Sequence, residues 1–225
     1  MTILVVAAHP DDEILGCGGT IARLSKMEDV FTLILGEGIT SRHTCDEDKT
    51  EEIKKLKANA RIANKKLNVK EIYLENFPDN KFDSVPLLDI VKIVERHVKE
   101  LGPETIFTHH CGDLNLDHSI TNRAVFTACR PVQDYTVKKI VLFETLSSTE
   151  WNRPDPSITF IPNYYVDISS TIDIKITAMR QYKNEIRQFP HPRSIDGIKI
   201  LSQKRGLEVG MKYAEAFHLA RCIEW

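Results

Sequence analysis

His9 and Asp12 stand three residues apart in the run Ala8-His9-Pro10-Asp11-Asp12-Glu13, and His118 closes a distant second run, His109-His110-Cys111-Gly112-Asp113-Leu114-Asn115-Leu116-Asp117-His118. An imidazole and a carboxylate at that spacing can chelate one ion. A third ligand brought in from far along the chain would complete a nitrogen and oxygen set of the kind that holds a catalytic zinc with one position left for water. Coordination lowers the pKa of such a water to about 7, and Asp11, beside the ligands, is placed to hold the proton released. The same residues admit a plainer reading. Asp11, Asp12 and Glu13 suit the positive end of a helix, and His118 suits a helix start with no metal at all. Spacing alone leaves the two open.

Ligands more than a hundred residues apart need a scaffold that joins strand ends. The apolar run from Ile3 to Ala8 has the pattern of a strand buried on both faces, and its polar residues begin where it stops, at the carboxyl end where open α/β sheets bind ligands. Further strands are predicted over 30–35, 71–74, 105–108, 139–143, 164–168 and 216–223. Helices are predicted over 13–27, 51–67, 85–101, 119–129, 172–187 and 196–210, the third with Leu88, Val91, Val94, Val98 and Leu101 along its inward side. This alternation predicts an α/β fold: a Rossmann-like, doubly wound, mostly parallel sheet with helices on both faces, elaborated at the C-terminus, as a single domain over 1–225.

Composition narrows the partners. Thirty basic residues against 32 acidic ones give a net charge of −2, which supplies no electrostatic reason to expect nucleic acid or a membrane surface. No apolar run approaches the roughly 20 residues of a membrane span, and the N-terminal run, short and ending in acids, is not read as a signal peptide. The five cysteines are odd in number and form no Cys-x-x-Cys pair, which fits a reducing, cytoplasmic setting. Cys17 and Cys111 are read as small packing residues. A homo-oligomer is a possible assembly.

The His9-Pro10-Asp11-Asp12-Glu13 run with Gly16, Gly18 and Gly19 behind it, and the Asp117-His118 pair after a later strand, resemble the zinc-dependent N-acetylglucosaminyl deacetylases of the LmbE-like or PIG-L family. The resemblance extends through Gly36-Glu37-Gly38, Phe77-Pro78-Asp79-Asn80, His191-Pro192-Arg193-Ser194 and Tyr213-Ala214-Glu215-Ala216-Phe217, nearly the whole chain. It implies Zn2+ held by His9, Asp12 and His118, Asp11 as general base, and Asp117 as the acid that orients a catalytic histidine. It further implies hydrolysis of the acetamido group of a small-molecule amino sugar. One position departs: where many members carry His-Pro-Asp-His, this chain has Asn115-Leu116-Asp117-His118. Asparagine can donate to an oxyanion but delivers no proton at neutral pH, so His109, His110 or His191 is left to supply one.

Arg42, His110, Asp113, Asn115 and His191 are the candidate substrate contacts. The rival readings are a zinc amidase for another acyl group or a thiol conjugate, a metal-bound protein without catalysis, and a nucleotide-binding module. The last is disfavoured because the glycine spacing is not Gly-x-Gly-x-x-Gly and acids at the helix start would repel a pyrophosphate.

Overall fold

The computed structural model describes residues 1–39, 49–132 and 136–224. Seven strands form one sheet in the order β3-β2-β1-β4-β5-β7-β6, with β1 at Thr2–Ala7, β2 at Asp29–Gly36, β3 at Glu71–Phe77, β4 at Thr105–His109, β5 at Lys139–Phe143, β6 at Tyr164–Asp167 and β7 at Ala214–Cys222. Strands β1 to β5 run parallel, and β7 pairs antiparallel with both β5 and β6. The expected α/β, Rossmann-like architecture is therefore present, with one antiparallel strand inserted near an edge.

β1 explains its own sequence. Ile3, Val5 and Ala7 join the core on one face, beneath the helices α1 (Asp12–Leu24), α2 (Thr50–Lys66), α5 (Ile172–Met179) and α6 (Ile195–Leu207). Leu4, Val6 and Ala8 join the core on the other, beneath α3 (Leu87–Leu101) and α4 (Leu116–Ala128). A strand covered on both sides has no use for polar alternation. Gly16 lets α1 lie close to the sheet, since a β-carbon there would overlap the Phe143 ring. The chain leaves β1 toward β2 and β3, and later leaves β4 toward β5 on the other side. β1 and β4 are thus adjacent strands whose connections diverge, the switch point at which such sheets open a crevice.

Four expectations need correction. α4 begins at Leu116, three residues earlier than expected, because Asn115 caps it by accepting from the Asp117 backbone N–H; Asp117 and His118 therefore sit in a helical first turn. α5 stops at Met179 and does not run on to Arg187. Leu88 is exposed, and α3 buries Ile90, Val91, Val94 and His97 instead. Cys111 is exposed, whereas Cys17 is buried as expected.

Candidate metal centre and active site

β1 ends at Ala7 and α1 begins at Asp12, so four residues make the turn that presents His9 and Asp11. Asp11 takes φ 108°, a left-handed conformation that a side chain ordinarily resists. It is held there by Glu13, whose Oε2 accepts from the Asp11 N–H at 3.0 Å. Asp12 Oδ2 accepts from the His9 N–H at 2.9 Å, closing the turn on itself. Across the switch point, the first turn of α4 delivers His118.

The three predicted ligands converge. Asp12 Oδ2 lies 3.2 Å from His118 Nε2 and 3.5 Å from His9 Nδ1, and His9, Asp12 and His118 each offer a ligand atom within 4.8 Å of the others. All three are buried. Each histidine is backed by a carboxylate on its other nitrogen: His9 Nε2 meets Asp117 Oδ2 at 3.0 Å, and His118 Nδ1 lies 3.1 Å from Asp113 Oδ1. That arrangement fixes the ring and the tautomer of a metal-binding histidine. The carboxylates are anchored in turn, Asp117 by the Phe82 N–H at 3.0 Å and Asp113 by the hydroxyls of Ser148 and Thr149. Asp117 does contact a histidine, then, and the one it contacts is His9.

The electrostatics fit a cation. Burial pulls His9 and His118 down, yet neighbouring carboxylates outweigh it: Asp117 and Asp12 raise His9 to about 9, and Asp12 and Asp113 raise His118 to about 10. Burial pushes Asp12 up, but His118 and His109 hold it well below the usual carboxylate range. Burial drives Asp11 well above that range against the opposing charge of Arg193. With protons on both histidines the donors are shielded only by each other. A divalent ion would take the place of those protons and be held by His9, Asp12 and His118, so the residues present fit such a group.

Beside the ligands lies a cavity of about 100 Å³ whose lining includes His9, Asp11, Asp12, Asp79, Asn115 and Arg193. Gly38 closes one side; it takes φ 76°, and a β-carbon there would come within 2.6 Å of Pro10. Of the candidate substrate contacts, Asn115 reaches this cavity, and its Nδ2 donates to Asn80 Oδ1 at 3.1 Å. The other three described candidates are absent from the lining. His110 faces Phe160 and accepts from the Gly112 N–H, Asp113 is occupied beneath His118, and His191 packs edge-on to Trp151 while accepting from the Arg193 N–H. Arg42 lies outside the described residues. His109 is fully buried, with Nε2 accepting from the Ala8 N–H and burial pulling it down to about 3.

Three cavity residues were missed. Asp79, which stood in the Phe77-Pro78-Asp79-Asn80 motif without being singled out as a candidate contact, is buried with Oδ1 3.3 Å from His9 Nε2. Glu185 and Arg193 come from the irregular segment after α5, Glu185 from a stretch expected to continue the helix to Arg187 and Arg193 from a motif already singled out. Arg193 Nη1 donates to Asp11 Oδ2 at 3.1 Å.

A family model described as PIG-L, GlcNAc-PI de-N-acetylase, matches residues 4–129. The uncharacterized deacetylase YaiS of Escherichia coli K12 is 26% identical over 195 residues, covering 81% of this chain and 90% of that protein. Among solved structures, the N,N'-diacetylchitobiose deacetylase of Pyrococcus horikoshii superposes with a TM-score of 0.79 at 20% identity, over 98% of this chain and 84% of its own. GalB, a 4-carboxy-2-hydroxymuconate hydratase from Pseudomonas putida KT2440, gives 0.75 at 18% identity, over 100% and 98%. At these identities the two structural likenesses are likenesses of fold.

Proposed function

The chain belongs to the PIG-L family, whose model spans both ligand segments, and on that premise we propose that it is a zinc-dependent hydrolase removing the N-acetyl group of an N-acetylglucosamine-type amino sugar or its conjugate. The observation that carries this reading is the convergence of His9, Asp12 and His118 beside a buried carboxylate, Asp11, that is outside the ligand set. A divalent ion bound to those three supplies Lewis acidity and a more acidic water.

Asp11 is then the group that takes the water's proton. Asn115 stands where a histidine acid is common, and its Oδ1 is engaged in capping α4 while Nδ2 holds Asn80. Apart from His9, no histidine lines the cavity among the described residues. Asp11 therefore hands the same proton to the departing amine, and Asn115 contributes at most a hydrogen bond. The cavity lies directly beside His9 and Asp12, where the acyl carbonyl would be met. Its lining is polar, which suits sugar hydroxyls at the mouth.

The test is acetate release by the zinc-loaded chain from a panel of N-acetylated amino sugars and their conjugates, run beside N-acyl thiol conjugates and unsaturated acids. Acetate with a stoichiometric free amine on a sugar supports the reading. Turnover confined to another acyl group would favour the amidase alternative, and turnover confined to C=C hydration would place the chain with the hydratase that shares its fold.

A further inference from the structure

Two residues that hold Asp11 come from one segment after α5, beyond the stretch 4–129 that the family model matches. The backbone hold runs through Glu13. Its Oε2 accepts from the Asp11 N–H, while its Oε1 accepts from Tyr182 Oη at 2.7 Å and Asn64 Nδ2 at 2.9 Å. Tyr182 and Glu13 are both fully buried. The side-chain hold is Arg193, whose Nη1 reaches Asp11 Oδ2 at 3.1 Å. Arg193 is itself fixed, with Nε donating to Ser147 Oγ at 2.7 Å and to the Leu146 carbonyl at 3.3 Å, and with Glu185 Oε2 3.7 Å from Nη1.

A non-glycine residue at φ 108° persists only where its surroundings over-determine it. We propose that Tyr182 and Arg193 are positioning residues that form a two-point clamp on Asp11: Tyr182 sets its main chain through Glu13, and Arg193 commits Oδ2, so that Oδ1 is the oxygen that carries the proton. This rests on the reading of Asp11 as the acid–base group. In that reaction the water oxygen bonds to the acyl carbon as its proton passes to Asp11 Oδ1. The C–N bond then breaks as that proton passes to the amine nitrogen. Amide and water give carboxylic acid and amine, with no other reactant. Arg193 keeps its own protons throughout, so its part is to keep one oxygen aimed during both transfers.

The experiment compares the zinc-loaded full chain with Arg193→Ala, Arg193→Lys and Tyr182→Phe, reading kcat, KM, zinc per chain and the crystal structure of each. Arg193→Ala is expected to lower kcat about 100-fold, the scale of a misaimed catalytic group, with KM and zinc content unchanged. Added guanidinium should restore much of that rate, and Arg193→Lys should fall between, because an ammonium keeps the charge without the fork. Tyr182→Phe is expected to cost about tenfold, with Asp11 leaving its left-handed φ. Wild-type kcat in Arg193→Ala, or a loss that guanidinium does not touch with Asp11 unmoved in the crystal, overturns the clamp. A wild type silent on every acetamide, with Asp11 displaced in the variants, overturns the deacetylase reading and leaves the clamp standing.

Discussion

Two groups of buried charge hang on the same helix, α1. Near its middle, Lys175 and Glu215 form a closed pair: the Glu215 carboxylate accepts from the Gly19 and Thr20 N–H groups and from Lys175 Nζ, and Lys175 also donates to the Leu15 carbonyl. One positive group meets one negative group. The backbone N–H groups it serves follow the break in α1 at Cys17, which explains its place. At the first turn, by contrast, Asp11, Asp12, Asp79, Asp113, Asp117 and Glu185 are all buried around Arg193 and the imidazoles of His9 and His118. Burying charge is costly unless it is paired, and among the described residues here anions outnumber cations. The balanced cluster is architecture; the unbalanced one has the donors to hold a divalent ion.

The contrast can be broken from either side. Chelation should have the largest effect, abolishing turnover and lowering the melting temperature of the chain until metal is restored, because an ion bound only by the folded state stabilises it. Asp11→Asn should cost about 10²- to 10⁴-fold in kcat while leaving metal content intact, as measured by acetate release beside elemental analysis. Lys175→Met should do the opposite: a loss of about 3–5 kcal/mol in denaturant unfolding, the scale of a buried pair with one partner removed, with kcat of the folded protein unchanged. pH sharpens the comparison further. His9 and His118, raised to about 9 and about 10, carry protons at neutral pH that a metal must displace. Lowering the pH from 8 to 7 should therefore weaken zinc affinity by about 10- to 100-fold, one decade per proton displaced. Smallest is Asn115→Ala, which removes the cap of α4 for about 1 kcal/mol of stability and less than tenfold in kcat.

Much of this was legible in the sequence because it rests on local patterns. The doubly buried β1 announces itself as an uninterrupted apolar run ending in His9, and the Asp117-His118 pair marks the second ligand segment. What was not legible depends on contacts between segments. Leu88 has the right residue type for an inward position on α3, but the register that buries His97 turns it outward. The α4 start was misplaced because the capping role of Asn115 was hidden behind its reading as a substitute for histidine. Asp113 sat in the right loop, but nothing local shows that Ser148 and Thr149 would occupy it beneath His118. Arg193 reaches Asp11, and Glu185 reaches Arg193, only because the chain after Met179 leaves the helix that its periodicity suggested. Glu13, which suits the positive end of a helix by residue type alone, is fixed from three directions, by Asp11, Asn64 and Tyr182.

The central claim is that the unbalanced cluster is a metal centre with a separate acid–base group. Equilibrium zinc titration of the metal-stripped chain tests it most directly. One ion per chain in the wild type and in Asp11→Asn, with binding lost in His118→Ala, is the predicted result; no binding in the wild type, or undiminished binding in His118→Ala, contradicts it.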